Sequence, residues 1–465
     1  MDSERCTPND PKVDPVPGKE HQDDNHLEYQ SRVLMLPVRG NVARTKKLED
    51  CTSVKHPTTF IETLMHLFKG NVGSGIFAMG DAFKNSGIVL GSILVPLLGV
   101  ICVHCQHLLV NASNYVHLSL EEQSNPDYAT TVEICFANGP TKLRFLAQYM
   151  RKTVNVILCL TQLGFCCVYF VFIGTNLKQI LDYYGFEYSV HMNMAFVFVP
   201  ILLSCLVRNL KYLAPLSTLA NVLMLLGIII TLYYCCQKPF SEVQTVAKIE
   251  QLPLFFGTAL YSFEGIGLVL PLKSKMKKPK QFNRNLGVLN IGMTVVTILF
   301  CLTGIFGYLK YGGDIKGSVT LNLPKDEILA QSVKAIITLA ILLTFALQFF
   351  VAIEIMFPVV ENSLGPFSRP TLVEITFRTA FVLVIFGLAE LIPFLDLFIS
   401  LLGAFCSTAI ALIFPPVLEF VTSSEITKWV VIKNLFIISV GLLGCVTGSY
   451  ESIRLIIKAF KEGQD

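Results

Sequence analysis

Residues 64–80 read LMHLFKGNVGSGIFAMG, and this stretch decides the fold. It lies inside an apolar segment, 58–84, long enough to cross a bilayer. Yet it carries His66, Lys69, Asn71 and the glycines Gly70, Gly73, Gly75 and Gly80. Each glycine costs a helix interior roughly 1 kcal/mol relative to alanine. Irregular backbone at membrane depth is tolerated only where it lines a cavity or is buried in protein. The pattern predicts an unwound hinge over 70–75 whose bare N–H groups hold a ligand. His66, one turn earlier, is then the ionisable group that couples transport to a proton. Close helix packing through small residues is the rival account of the glycines.

The surrounding composition points the same way. Of 465 residues, 52% are hydrophobic and 15% charged, with a mean hydropathy of +0.58. Soluble proteins carry nearer 25% charged residues. Eleven apolar stretches of spanning length are expected, at roughly 58–84, 87–110, 154–180, 190–207, 212–235, 252–275, 286–310, 328–356, 371–390, 392–418 and 428–449. Pro393, flanked by Glu390 and Asp396, separates the ninth from the tenth. The chain thus reads as an all-α integral membrane protein. No basic run is interleaved with aromatics, which excludes a nucleic-acid binder. Of the 14 cysteines, 12 lie in or beside apolar segments, where cysteine behaves as a small hydrophobe. Of these, Cys235 and Cys236, near an outer face, are the ones to watch.

Residues 1–57 are polar, charged and proline-spotted, and read as a disordered cytosolic tail. They have no signal-peptide pattern, so the first apolar segment is expected to be a retained span. The loop after span 6, KSKMKKPKQFNR, is the most basic in the chain. Arg208 and Lys211 follow span 4, and Lys142, Arg144, Arg151 and Lys152 follow span 2. Basic even-numbered exits place those loops and the N-terminus in the cytosol. The C-terminus then lies outside, against which Arg454, Lys458 and Lys461 weigh slightly. The sequon Asn111-Ala112-Ser113 falls on the cytosolic side and is expected to be unglycosylated.

A second interruption sits in span 6. Residues 257–267, GTALYSFEGIG, put Glu264 and three glycines into an otherwise apolar helix. By parity spans 1 and 6 run in opposite directions. Two broken helices five spans apart and opposed are the mark of a five-plus-five inverted repeat, in which substrate binds between half-helices at the bilayer midplane. The expected division is a ten-helix core over 58–422, with repeats at about 58–235 and 252–422. An eleventh helix and a short extracytosolic tail would occupy 423–465. Half-helix N-termini suit a carboxylate, and freed carbonyls suit an ammonium.

Charged groups inside a bilayer cost several kcal/mol and usually mark function. Glu62 and His66 are four apart and share a helix face. Glu62 sits close enough to the cytosolic end to be solvated. His66 titrates near neutral pH when unperturbed, although a neutral histidine hydrogen-bonded in the core fits the sequence equally well. Lys69 either snorkels or pairs with Glu264 or Glu354. Glu264, deep in span 6, is a second proton-handling candidate and a partner for a substrate ammonium. Glu354 lies nearer the cytosolic end and reads as structural. Asp81 follows the hinge toward the outer vestibule. Cys102-Val-His104-Cys105-Gln-His107 imitates a metal motif, but on a helix its four ligands cannot converge. No phosphate-binding loop is present, no catalytic set appears on the loops, and no cofactor or metal is expected.

The stretches LMHLFKGNVGSGIF, AFKNSGIVLG, FFGTALYSFEGIGLVLPL and KSKMKKPKQF resemble the proton-coupled amino acid transporter family, within the amino acid/auxin permease group. The resemblance extends over residues 57–450. It implies eleven helices of the leucine-transporter type, a cytosolic N-terminus, and symport of small neutral amino acids (alanine, glycine or proline) with a proton. It implies proton coupling at His66 and, with the hinge reading, at Glu264. Substrate would be held by Gly70, Asn71, Val72, Gly73, Ser74 and Gly75, and by Tyr261, Ser262, Phe263 and Gly265. It places the protein in the plasma membrane or in lysosomal and late endosomal membranes, with growth-signalling partners on the cytosolic side. Ala78-Met79-Gly80-Asp81 stands where vertebrate members have a more apolar, proline-bearing run, and the span 3–4 loop lacks cysteine. Both departures suggest an invertebrate-like branch. An amino-acid sensor with negligible turnover, or a facilitative exchanger, is the rival function. A channel would need a repeated polar lining that these spans lack.

Overall fold

The structure is a computed structural model that describes residues 57–120, 126–208, 210–365, 367–423 and 426–462. The expected disordered tail therefore lies, but for Pro57, outside the described residues. Everything of length is helical, as expected where a bilayer offers no partner for unpaired peptide groups. The helices are α1 (Phe60–Asn71), α2 (Ser74–Ser86), α3 (Ile88–Leu120), α4 (Tyr128–Asn138), α5 (Ala147–Tyr183), α6 (Val190–Cys205) and α7 (Leu210–Cys235). The second half holds α8 (Leu252–Ser262), α9 (Ile266–Lys275), α10 (Val288–Tyr311), α11 (Ile328–Leu364) and α12 (Pro370–Leu391). It closes with α13 (Leu395–Leu402), α14 (Phe414–Thr422) and α15 (Lys428–Glu462).

Among the described residues, nine helical segments are long and apolar enough to cross a membrane. Two of the eleven stretches expected from sequence fall outside that set. Segment 58–84 is split into α1 and α2, and 190–207 yields α6, which has 16 residues. Helix α4, in the connection between α3 and α5, was not anticipated. It starts on an Asp127 cap, whose carboxylate accepts from the Thr130 N–H at 2.7 Å. The Tyr128 hydroxyl of α4 then donates to the Ile410 carbonyl at 2.7 Å. Between α13 and α14 the chain winds as π-helix over Gly403–Ser407 and Ala409–Ile413.

The centre of the bundle is α2. Every residue of it except Lys84 is buried. It packs between α8 and α10, and Gly304 of α10 gives room for the Phe83 ring. The periphery is the inverse: Leu225, Ile229, Val384, Leu443 and Val446 point outward, all more than half exposed. An apolar shell around a polar-studded centre is what lipid solvation demands.

Candidate functional site

Helix α1 opens on a capping box. The Thr59 N–H donates to Glu62 Oε2 at 2.7 Å, and the Glu62 N–H to Thr59 Oγ1 at 3.4 Å. Glu62 is thus a helix cap, a role the Thr-x-x-Glu spacing encodes. Just before it, Thr58 pairs as an isolated β-bridge with Met276. The Thr58 N–H donates to the Lys275 carbonyl at 2.8 Å, and the Lys277 N–H returns to the Thr58 carbonyl at 2.9 Å. The start of span 1 is therefore fastened to the end of span 6.

Span 1 comes apart at Val72 and Gly73 alone. That is narrower than the 70–75 hinge expected, because Asn71 and Val72 still close hydrogen bonds onto α1. Asn71 Nδ2 donates to the Leu67 carbonyl at 2.9 Å, and the Val72 N–H to the Phe68 carbonyl at 2.7 Å. Ser74 then begins α2, whose first-turn N–H groups have no intrahelical acceptor. Span 6 comes apart at Phe263, Glu264 and Gly265, between α8 and α9.

The two breaks face each other. Gly70 lies against Leu268, Asn71 against Gly265, and Gly75 against Ser262. Numbers rise along one span as they fall along the other, so the two run antiparallel. A Cβ on Gly75 would sit 2.8 Å from the Ser262 Cα, so this approach requires glycine. Two hydroxyl bonds seal the contact. Ser74 Oγ and the Tyr261 hydroxyl are 2.7 Å apart, and Ser262 Oγ donates to the Gly75 carbonyl at 2.9 Å.

Around the breaks lies a cavity of about 480 Å³. Gly70 through Gly75, Tyr261, Ser262 and Glu264 line it. Phe165 and Tyr169 of α5, Asn221 and Met224 of α7, and Thr344 and Gln348 of α11 complete the wall. None of these six was singled out from the sequence. Each sits in an otherwise unbroken apolar helix, where pattern alone does not tell a lining face from a packing face. Phe165 packs against Tyr261 with ring centroids 4.7 Å apart and the planes tilted by 47°.

Of the sequence candidates, Phe263 and Gly265 do not line the cavity. Phe263 is buried against Phe300, with ring centroids 5.1 Å apart, and Gly265 is the flat surface on which Asn71 rests. Two acceptors at the breaks are buried without a donor: Asn71 Oδ1 and Glu264 Oε2. His66, Lys69, Lys275 and Glu354 also border the cavity. His66 is exposed there, with Glu62, Lys69 and Lys275 as the charged groups acting on it. Glu354, expected to be structural, is exposed at the same border, and Lys69 forms no ion pair with it or with Glu264 among the described residues. Asp81 is buried above the break, where it accepts from Asn85 Nδ2 at 3.2 Å. In the metal-like motif, His107 Nε2 instead meets Asn290 Oδ1 at 2.7 Å, and Cys102 and Cys105 are buried free thiols. Cys235 is a buried free thiol and Cys236 an exposed one.

Comparison with known proteins gives the family. Residues 56–454 match the family described as transmembrane amino acid transporter protein. The chain is 38% identical over 417 residues to the proton-coupled amino acid transporter-like protein pathetic of Drosophila melanogaster, covering 88% of each. It is 25% identical over 454 residues to vacuolar amino acid transporter 4 of Saccharomyces cerevisiae, covering 89% of this chain and 60% of that one. Among solved structures, Mhp1, a nucleobase-cation-symport-1 transporter closed on bromovinylhydantoin, is similar with a TM-score of 0.48 and 14% identity, covering 88% of this chain and 95% of that one.

Proposed function

The chain belongs to the transmembrane amino acid transporter family and is a multi-pass membrane protein, and from that premise we propose that it is a proton-coupled symporter of small neutral amino acids. The observation that carries the reading is the meeting of two interrupted, antiparallel helices at one cavity. The substrate carboxylate sits on the free N–H groups at the start of α2, where the helix dipole favours an anion. The ammonium faces the carbonyls at the end of α8, with the Glu264 carboxylate behind them. A small side chain points toward Phe165 and Met224. Opposite half-helix polarity thus recognises both ends of a zwitterion without a dedicated charged pair.

Two groups handle the proton. Glu264 is buried with an unpaired oxygen, and its protonation removes a charge that no donor at that oxygen offsets. His66, exposed at the cavity border, exchanges the proton with water on the cytosolic side. The two halves of the core alternate as inverted repeats to open the site to either face. The name of the fly relative, a proton-coupled amino acid transporter-like protein, supports the coupling ion, and the vacuolar name of the yeast relative supports a lysosomal or late endosomal membrane, with the plasma membrane as the other location.

The test is uptake of a panel of radiolabelled amino acids into proteoliposomes, with proton current recorded in parallel. Alanine, glycine or proline should accumulate only when the pH gradient drives inward proton flow. Glu264→Gln should abolish that accumulation while leaving substrate counterflow and thermal stability near wild type. His66→Ala should lower the gradient-driven rate about a hundredfold, the low end for a lost proton-transfer group. Uptake indifferent to the gradient would refute the coupling, and unchanged coupling in both variants would refute these residues' roles.

A further inference from the structure

A second cavity, of about 630 Å³, lies at the other end of the bundle, where the end of α5 and the start of α6 meet the 312–327 connection. Along α5 the order is clear. Phe165 and Tyr169 line the central cavity, and Thr175, Lys178, Gln179 and Asp182 line this one. From Tyr169 to Thr175 is a rise of about 9 Å. Between them Phe172 meets Phe77 of α2 at 6.2 Å, and one residue past Thr175 the Asn176 Oδ1 accepts from Thr320 Oγ1 at 2.9 Å. A buried aromatic and polar layer therefore separates the two chambers.

The charges of this outer chamber do not cancel internally. Lys178 and Asp182 pair with each other at 2.8 Å. Lys316, Lys325 and Asp326 also line the cavity, and none of them forms an ion pair among the described residues. All three are exposed, so a ligand in the chamber can reach them. Behind the wall stands Lys334, fully buried, whose ammonium meets no carboxylate among the described residues and donates to the Leu323 carbonyl at 3.4 Å. Lys316 and Lys325 are the charged groups that act on it. A buried, unpaired ammonium is costly, and an anion in the adjoining chamber would offset that cost. Gln179 adds a carbonyl oxygen, Oε1, that is buried without a donor, while its Nε2 is fixed on the Leu321 carbonyl at 2.9 Å.

We propose that this chamber is a second, weaker amino-acid site, a vestibule that takes the zwitterion before it reaches the central cavity. The carboxylate lies toward Lys316 and Lys325, and the ammonium toward Asp326 and Gln179 Oε1. The proposal rests on the reading of the protein as an amino acid transporter, but not on the hinge or on proton coupling. Weak binding is what such a site needs, because a vestibule that held its ligand tightly would slow delivery.

The experiment is equilibrium binding of radiolabelled L-alanine to the full-length protein in lipid nanodiscs, where both faces are accessible. Wild type should show two classes of site. K316Q/K325Q should lose the weaker class and keep the tighter one with its Kd within twofold. Replacing methanesulfonate by chloride at constant ionic strength should leave both classes in place. A single class unchanged by K316Q/K325Q overturns the proposal, as does equal weakening of both classes, which would mean the lysines act through the fold. Loss of the weaker class in chloride would assign the chamber to an inorganic anion and also overturn it. Should the weaker class be present and the tighter one absent, the vestibule stands and the hinge reading falls.

Discussion

Spans 1 and 6 are joined in one way, and spans 4 and 9 in the opposite way. The first pair is interrupted and meets through glycine surfaces and two hydroxyl bonds, Ser74 to Tyr261 and Ser262 to Gly75. The second pair, α6 and α12, carries no break and is tied through a glutamate carboxylate at both ends. At one end Glu374 accepts from Arg208 at 2.6 Å and from Arg378 at 2.9 Å, and Arg378 also donates to the Cys205 carbonyl at 3.0 Å. At the other end His191 Nδ1 meets Glu390 Oε2 at 2.5 Å. Neutral hydrogen bonds each contribute about 1 kcal/mol net. Breaking a buried charge pair costs about 3–5 kcal/mol. The contrast is between a lightly tied pair, the one the proposed cycle would open, and a firmly tied one.

The largest expected effect is at the buried end of the clamp. Arg378 is 3% exposed and also lies over the Phe350 ring, with 5.6 Å to its centroid. Arg378→Ala leaves Glu374 with Arg208 alone and removes the tie to span 8. Thermal unfolding in detergent should show a loss of about 3–5 kcal/mol. A loss below about 1 kcal/mol, the level of a surface pair, would erase the distinction between the two helix pairs.

The next effect is smaller in stability and larger in function. Gly75→Ala sets a methyl 2.8 Å from backbone of the facing span, where no side-chain rotation relieves it. Overpacking of this kind costs about 1–3 kcal/mol. Because the strain falls on the contact that the proposed cycle closes and reopens, L-alanine uptake should drop at least about tenfold, the equivalent of 1.4 kcal/mol. Wild-type uptake would show that spans 1 and 6 do not approach this closely in any state that limits transport.

Much of this was legible in the chain. Glu264 and the glycines of 257–267 announced the break in span 6, because a charge inside an apolar run is too costly to persist without a use. The position of each break could be read, but not its width. Glycine spacing suggested six unwound residues, and hydrogen bonds from Asn71 and Val72 reduce them to Val72 and Gly73. Phe263 stands apart from the cavity for a related reason. It is adjacent to Glu264 in sequence, but the turn that aims the carboxylate at the cavity sends the ring toward Phe300. The clamp was not anticipated at all. Arg208, Glu374 and Arg378 are more than 160 residues apart across the pair, so only the folded bundle brings them together.

The smallest effect tests whether the clamp is equally strong at its two ends. The side chains of His191 and Glu390 are 56% and 23% exposed, against 4% and 12% for the side chains of Arg378 and Glu374. Water competes for the outer pair, and two side chains must be held in one geometry to form it, so its coupling should be only about 0.2–1 kcal/mol. A double-mutant cycle with His191→Ala and Glu390→Gln isolates that coupling from the other losses each substitution causes. Raising the salt to 1 M shortens the screening length to about 3 Å and should remove most of it, whereas the Arg378 loss should persist because its partner is shielded from ions. A salt-insensitive coupling above about 2 kcal/mol would make the outer end as firm as the inner one. In that case the clamp would be a rigid strut along its whole length rather than one anchored at the buried arginine.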